Sequence, residues 1–259
     1  NKGQSFGNLF LAALNGITGS FEEAVTRMNE VLAVTGKVLP VTNANVDLVA
    51  DFENGASVVG ESKIAAKKKQ QNCRIHQVRL EPQKPKALPH AIDAILSADM
   101  IILGPGSLYT SIIPNLLVDG IVQALEKSKA PKIYVLNIMT QDGETEGYTA
   151  FDHLRALLQH SAPHLVDACI YNTAPVPDPI QARYKTEDAE PVEIDMQRFR
   201  EAGVEMYGFP LIAGGSQLAR HDPALLAQAV VNVFGRCCVR EGIYGAYDVL
   251  ARETEPGKI

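Results

Sequence analysis

The chain has 259 residues, 46% of them hydrophobic, no tryptophan and a formal net charge of -6. That length fits one large domain or two small ones with ample material for a core, and that charge, with few basic clusters, argues against a general nucleic-acid binder. No run of about 18 apolar residues and no charged n-region before an apolar h-region occur, so neither a membrane span nor a signal peptide is expected.

Taken in order, Ser5 to Asn15 opens with small polar residues and passes into an amphipathic helix with Leu9, Ala12, Ala13 and Gly16 at helical spacing. Ser5, Gly7 and Asn8 sit at its start, where capping alone would account for them. Ser20 and Glu23 form a capping box for a second helix, Phe21 to Val34, which Gly36 stops. Val46 to Phe52 and Ala56 to Gly60 flank Asn54-Gly55, which predicts a type I′ hairpin. Lys63, Lys67, Lys68, Lys69 and Arg74 read as a solvated loop or hairpin face. Arg74 to Leu80 reads as a strand, followed by a Pro/Lys-rich linker to Pro89. Residues 37–80 are therefore expected as a β-rich insertion on a single domain spanning 1–259.

From Pro89 helix and strand alternate: helix His90 to Ser97, strand Met100 to Leu103 buried on both faces, helix Asn115 to Lys127, strand Lys132 to Asn137, helix Thr149 to Leu158, strand Ala168 to Tyr171. Segments Val192 to Asp195 and Val204 to Phe209 follow, then a closing helix from Asp222 to Arg236 with Asp222-Pro223 as N-cap and first-turn proline. This alternation demands right-handed crossovers and a mostly parallel sheet with helices on both faces, an α/β Rossmann-like three-layer sandwich.

The organising stretch is the glycine turn Gly104-Pro-Gly106 with Ser107, Tyr109, Thr110 and Ser111 between a strand and a helix. Glycines admit close backbone approach and the turn offers N–H groups and hydroxyls, which suits a phosphate; a tight connection needs small residues too. Asn137 and Asn172 end further strands, and Arg220-His221-Asp222 opens the last helix, so polar residues converge on one sheet edge. Arg220 there suits a phosphate or pyrophosphate, since its fork engages two oxygens. Tyr184 and Tyr109 either pack or stack on a base. His160 and His164 are separated by Pro163 and so are not a helical metal pair, and Cys73, Cys169, Cys237 and Cys238 lack zinc spacing. No metal is expected, and reduced thiols fit the cytoplasm. Nothing local such as GxSxG marks a nucleophile.

Ser5-Phe-Gly-Asn-Leu, Phe21-Glu-Glu-Ala, Gly60-Glu-Ser-Lys-Ile64, Ala98 to Val118, Asn137-Ile-Met-Thr-Gln-x-Gly-Glu-Thr145 and Arg220-His-Asp222 together resemble the YvcK/CofD-like family, on its gluconeogenesis-factor side. The resemblance implies a cytoplasmic CofD-like fold that binds a nucleotide sugar, a UDP-sugar such as UDP-GlcNAc, and serves gluconeogenic growth, cell-wall synthesis and cell shape. It places the ligand at Ser5, Gly7, Asn8, Gly104, Gly106, Ser107, Tyr109, Thr110, Asn137, Tyr184 and Arg220, with no certain cofactor beyond that nucleotide sugar. The partner expected is a cell-wall or metabolic protein, and a homodimer is expected on the general ground that closed symmetric oligomers are common among soluble proteins. The alternative is a CofD-type transferase acting on a phospho-lactate substrate in deazaflavin coenzyme synthesis. The family's opening strand with its GGGTG-type loop, and its DDGGS-type motif, are not in this sequence. Gln4 stands where many members have His, and Asp142 where many have Pro.

Overall fold

The computed structural model describes residues 6–32 and 35–240. Helices α1 (Phe6–Thr18) and α2 (Phe21–Val31) pack on each other, and the Ser20 side chain caps α2 by accepting from the Glu23 N–H. The second helix ends at Val31 with Leu32 as its C-cap, short of the expected Val34, which with Ala33 lies outside the described residues.

A three-stranded antiparallel sheet follows, ordered β2-β1-β3, from β1 (Asp47–Phe52), β2 (Ser57–Val59) and β3 (Ile75–Glu81). Its first turn departs from type I′: Gly55 alone takes a positive φ (83°), and the Phe52 N–H closes the loop on the Ala56 carbonyl. The lysine cluster also departs from expectation, because Glu61–Gln71 is a helix, α3, capped at its end by left-handed Asn72. Good helix formers at Ala65, Ala66 and the lysines explain it. Ile64 on its inner face is fully buried.

The α/β frame then runs α4 (Pro89–Leu96), β4 (Ile101–Leu103), α5 (Ile113–Leu116), α6 (Ile121–Lys127), β5 (Lys132–Val135), α7 (Ala150–Gln159), β6 (Ala168–Asn172), α8 (Asp178–Lys185), α9 (Met196–Glu201), β7 (Glu205–Phe209) and α10 (Pro223–Arg240). The strands form a parallel sheet in the order β4-β5-β6-β7. Alternate residues of β5 go to opposite faces. Tyr134 and Leu136 join the core that also holds Leu154 and Leu157 of α7, while Ile133 and Val135 meet Ala229, Val230 and Val233 of α10. Helices on both faces make the expected three layers. The larger core also takes in Leu48, Phe52 and Val78, so the antiparallel sheet shares it with the α/β frame.

Two expectations are corrected. Strand β4 is not buried on both faces: Ile102 is 42% exposed, because β4 is an edge strand among the described residues and α10 covers the sheet beside it. The helix expected from Asn115 to Lys127 breaks between α5 and α6. Gly120 adopts φ 103°, and the Asp119 backbone pairs instead with Pro85 and Ala87 of the linker.

The last helix starts as the sequence predicts. Asp222 Oδ1 accepts from the N–H groups of Ala224 (2.9 Å) and Leu225 (3.0 Å). Removing that cap by Asp222→Ala is expected to cost about 1 kcal/mol, visible in thermal unfolding as a fall of roughly 2–4 °C for a chain of this size.

Candidate functional site

Because all three strand pairings are parallel, the carboxyl ends of β4 to β7 share one edge, where open α/β sheets hold their ligands. At the end of β4, Gly104 has φ 83°, and a Cβ there would lie 3.0 Å from Ile112 Cδ1 and 3.1 Å from the Val135 carbonyl oxygen. Only glycine makes this turn without displacing β5. Gly106 has no such constraint, its Cβ position being 3.4 Å from Ser111 Cβ. The turn continues into a π-helical turn, Leu108–Ile112, whose Ser111 and Ile112 N–H groups both donate to the Ser107 carbonyl. The N–H groups of Gly106 and Ser107 donate to no described residue, which leaves a pair of adjacent donors at the strand end.

Two groups brace this turn from β5 and its following loop. Asn137 Nδ2 donates to the Gly106 carbonyl at 3.0 Å. Glu144, 2% exposed, accepts from the Tyr109 N–H (3.2 Å), Thr110 Oγ1 (2.8 Å) and Gln141 Nε2 (3.1 Å). Burial raises the Glu144 pKa above the usual carboxylate range, and the bonds from Thr110 and Tyr109 oppose that rise. Of the hydroxyl-bearing residues singled out here by sequence, Tyr109 and Thr110 are thus engaged inward. The Thr110 hydroxyl is committed to Glu144, and Tyr109 is 2% exposed with its hydroxyl 2.8 Å from that of Tyr148.

The loop 141–148 is itself clamped by α3. Lys68 pairs with Glu146 and Lys69 with Asp142, and Ala65 lies against Gly143. Positions 65, 68 and 69 share one helix face by their i, i+3, i+4 spacing.

The segment after β7 folds back as a hairpin. Ile212 bridges His221, the Ala213 N–H donates to the Arg220 carbonyl, and the Asp222 N–H donates to Leu211 at 2.7 Å. His221 directs a ring N–H at the Leu136 backbone, and burial lowers its pKa, so the ring is neutral at neutral pH. Ala219, Ile212 and half-buried Tyr184 of α8 pack against an apolar group of Ile138, Met139, Val176 and Ile180, the first two of which follow Asn137. Strand ends of β4 and β7 would stand about 14 Å apart at the usual spacing, and this apolar contact draws the hairpin back over β5. The exposed Arg220 guanidinium makes no ion pair with any described carboxylate. The structure therefore joins Gly104, Gly106, Ser107 and Asn137 at the strand ends, and sets Tyr184 and the hairpin that carries Arg220 against the apolar group that includes Ile138 and Met139. Gly7 and Asn8 are exposed on the first turn of α1, and Ser5 lies outside the described residues.

A family model described as 2-phospho-L-lactate transferase CofD matches residues 1–212. The chain belongs to the CofD family. Among its relatives, a Bacillus subtilis protein called gluconeogenesis factor is 45% identical over 231 residues, covering 89% of this chain and 72% of that one. A gluconeogenesis factor from Halalkalibacterium halodurans is 41% identical over 230 residues, covering 89% and 70%. A crystal structure of a Bacillus halodurans protein superposes with a TM-score of 0.83 at 41% identity, over 88% of this chain and 72% of that one.

In this member of the CofD family, sequence reasoning passed over Glu144 as a site residue. It stands within the Asn137-to-Thr145 motif, and a carboxylate followed by Thr after a strand end carries no local signal of which donors it will meet. Asp222 was legible as a cap, and its carboxylate already occupies the first N–H groups of α10. The helix N-terminus is thus filled, and the turn N–H groups and the Arg220 guanidinium are the donors left open at this edge among the described residues.

Proposed function

We propose that this chain binds a nucleotide sugar, UDP-GlcNAc or a close relative, at the carboxyl edge of its parallel sheet, and acts as a regulatory protein of the gluconeogenesis-factor kind. The diphosphate meets the Gly106 and Ser107 N–H groups and Arg220, Asn137 fixes the turn, and Tyr184 lies beside the base. Occupancy then alters contact with a cell-wall or metabolic partner protein, which would link the protein to cell-wall synthesis and cell shape. The observation that carries this reading is Arg220: an exposed guanidinium without an ion partner among the described residues, held by the hairpin over the end of β5.

The family description as a phospho-lactate transferase supports a second reading, in which the same turn steadies a phosphoryl group during transfer. Glu144, the carboxylate bonded to the turn, has its oxygens engaged by three donors and is buried, which favours bracing over proton transfer.

Isothermal titration with UDP-GlcNAc, with UDP and GDP as controls, tests the reading. A charge-assisted contact is worth about 1.5–3 kcal/mol, so Arg220→Ala is expected to raise the dissociation constant roughly 10- to 100-fold. Unchanged affinity removes Arg220 from the site. Turnover of UDP-GlcNAc or of a phosphoester that disappears with Asn137→Ala would instead establish the transferase.

A further inference from the structure

Between β3 and α7 lies a cavity of about 500 Å³ that takes no part in the crevice described above. Arg74 stands over the Tyr148 ring at 5.5 Å from its centroid, so stacking holds the guanidinium in place. Its N–H groups make neither an ion pair nor a hydrogen bond with any described residue. From the α7 wall Arg155 adds a second guanidinium, paired with Asp152 at 3.0 Å and half exposed. His160 adds no charge: its Nε2 accepts from the Val78 N–H, its Nδ1 bonds the Ala156 carbonyl, and burial lowers its pKa.

Tyr109 and Tyr148 share one hydrogen bond, at 2.8 Å, and neither hydroxyl has another partner among the described residues. Whichever of them donates, the hydrogen of the other has no acceptor. Both are at least 93% buried (2% and 7% exposed), so this is a desolvated donor in the wall of a polar cavity. Glu53 and Gln159 on the same walls have side-chain acceptors and donors that no described residue engages.

We propose that this cavity is a second binding site, separate from the strand-end crevice, for a small phosphorylated polyol. The phosphate meets the guanidinium forks of Arg74 and Arg155, on walls that also carry the Glu53 carboxylate and the Asp152 carboxylate paired with Arg155. Hydroxyls of the ligand accept from the spare tyrosine hydrogen and exchange hydrogen bonds with Glu53 and Gln159. The volume matches the smaller ligand sites of proteins and excludes neither ring nor open-chain sugars.

The chain has no tryptophan, so its intrinsic fluorescence comes from tyrosine, and a ligand beside Tyr109 and Tyr148 reports on itself. Titration of the whole protein with glucose 6-phosphate, with glucose and inorganic phosphate as controls, is expected to saturate for glucose 6-phosphate and to run at least tenfold weaker for either control. Arg74→Ala, an exposed position outside the core, is expected to weaken glucose 6-phosphate at least tenfold, and Gln159→Ala to weaken it less. Arg220→Ala is expected to leave it unchanged, which separates this site from the nucleotide-sugar crevice. No saturation by about 10 mM, equal affinity in the wild type and Arg74→Ala, phosphate alone binding as tightly, or loss in Arg220→Ala would each overturn the assignment.

Discussion

Gly143→Ala is expected to lower the stability of this protein by about 3 kcal/mol, since overpacking and a left-handed backbone penalise the same atom. The added Cβ would lie 2.4 Å from Ala65 Cβ and 2.6 Å from Ala65 Cα, with the Ala65 carbonyl carbon at 3.1 Å. Two of those three atoms belong to the backbone of α3, which cannot yield by changing a rotamer. The backbone at Gly143 also has φ 80°, a region L-residues enter at a cost of roughly 1–2 kcal/mol. The helix must therefore retreat, and the ion pairs Lys68–Glu146 and Lys69–Asp142 retreat with it. Gly147 isolates the packing part of the effect. It has φ 67° with nothing within 4 Å of its Cβ position, so Gly147→Ala carries the backbone penalty alone. In thermal unfolding Gly143→Ala is expected to melt roughly 6–12 °C below wild type, and Gly147→Ala clearly less. Ala65→Gly is not expected to rescue Gly143→Ala, because the Cα clash persists. Equal melting temperatures for the two glycine variants would show that α3 does not press on this loop as described. Hydrogen exchange at the amides of α3 gives an independent reading, with faster exchange confined to Gly143→Ala.

This clamp also shows where sequence reasoning reached and where it stopped. The parallel frame was legible because runs beginning at Met100, Lys132, Ala168 and Val204 alternate with helical segments, and three parallel pairings among the four follow from that alternation. The cap at Asp222 was legible because Asp-Pro before an apolar run carries its own local chemistry. Residues 61–71 were not, because four lysines conceal a face whose meaning depends on a loop some eighty residues later. The break at Gly120 was hidden for the same reason, since the Pro85–Ala87 backbone that captures Asp119 is remote in sequence. For the crevice, glycines and strand-end polar residues could be named individually, whereas the side on which each side chain falls could not. Tyr109 illustrates it: a hydroxyl-rich turn suggests ligand contact for every member, and the π-helical turn rotates this ring into the core beside Tyr148 and His160. Lys69, which reaches Asp142, gives that position of the loop a structural use.

The same loop supplies the second large effect, at Glu144. Glu144→Ala would leave the Tyr109 N–H without its acceptor inside the core and open a small void behind the glycine turn. An orphaned buried donor costs about 1–3 kcal/mol and the void adds to it, for a total near 3 kcal/mol. Because Glu144 holds Tyr109 and Thr110, the N–H groups of Gly106 and Ser107 one turn earlier lose their fixed direction, and UDP-GlcNAc affinity is expected to fall about tenfold. Glu144→Gln separates charge from shape. Three donors converge on two carboxylate oxygens, and an amide offers one oxygen and one NH₂, so one donor must face another. Its cost should also depend on pH in a definite sense. The folded protein raises the Glu144 pKa, chiefly by desolvation, so the stability this group contributes is complete below its unfolded pKa of about 4.3 and declines as pH rises through the folded value. Glutamine has no such decline. The gap in denaturant stability between wild type and Glu144→Gln is therefore expected to be wider at pH 4.5 than at pH 7.5. A gap that instead widens toward pH 7.5 would mean that the donors from Tyr109, Thr110 and Gln141 outweigh burial and that the turn is braced by a carboxylate stabilised in its charged form.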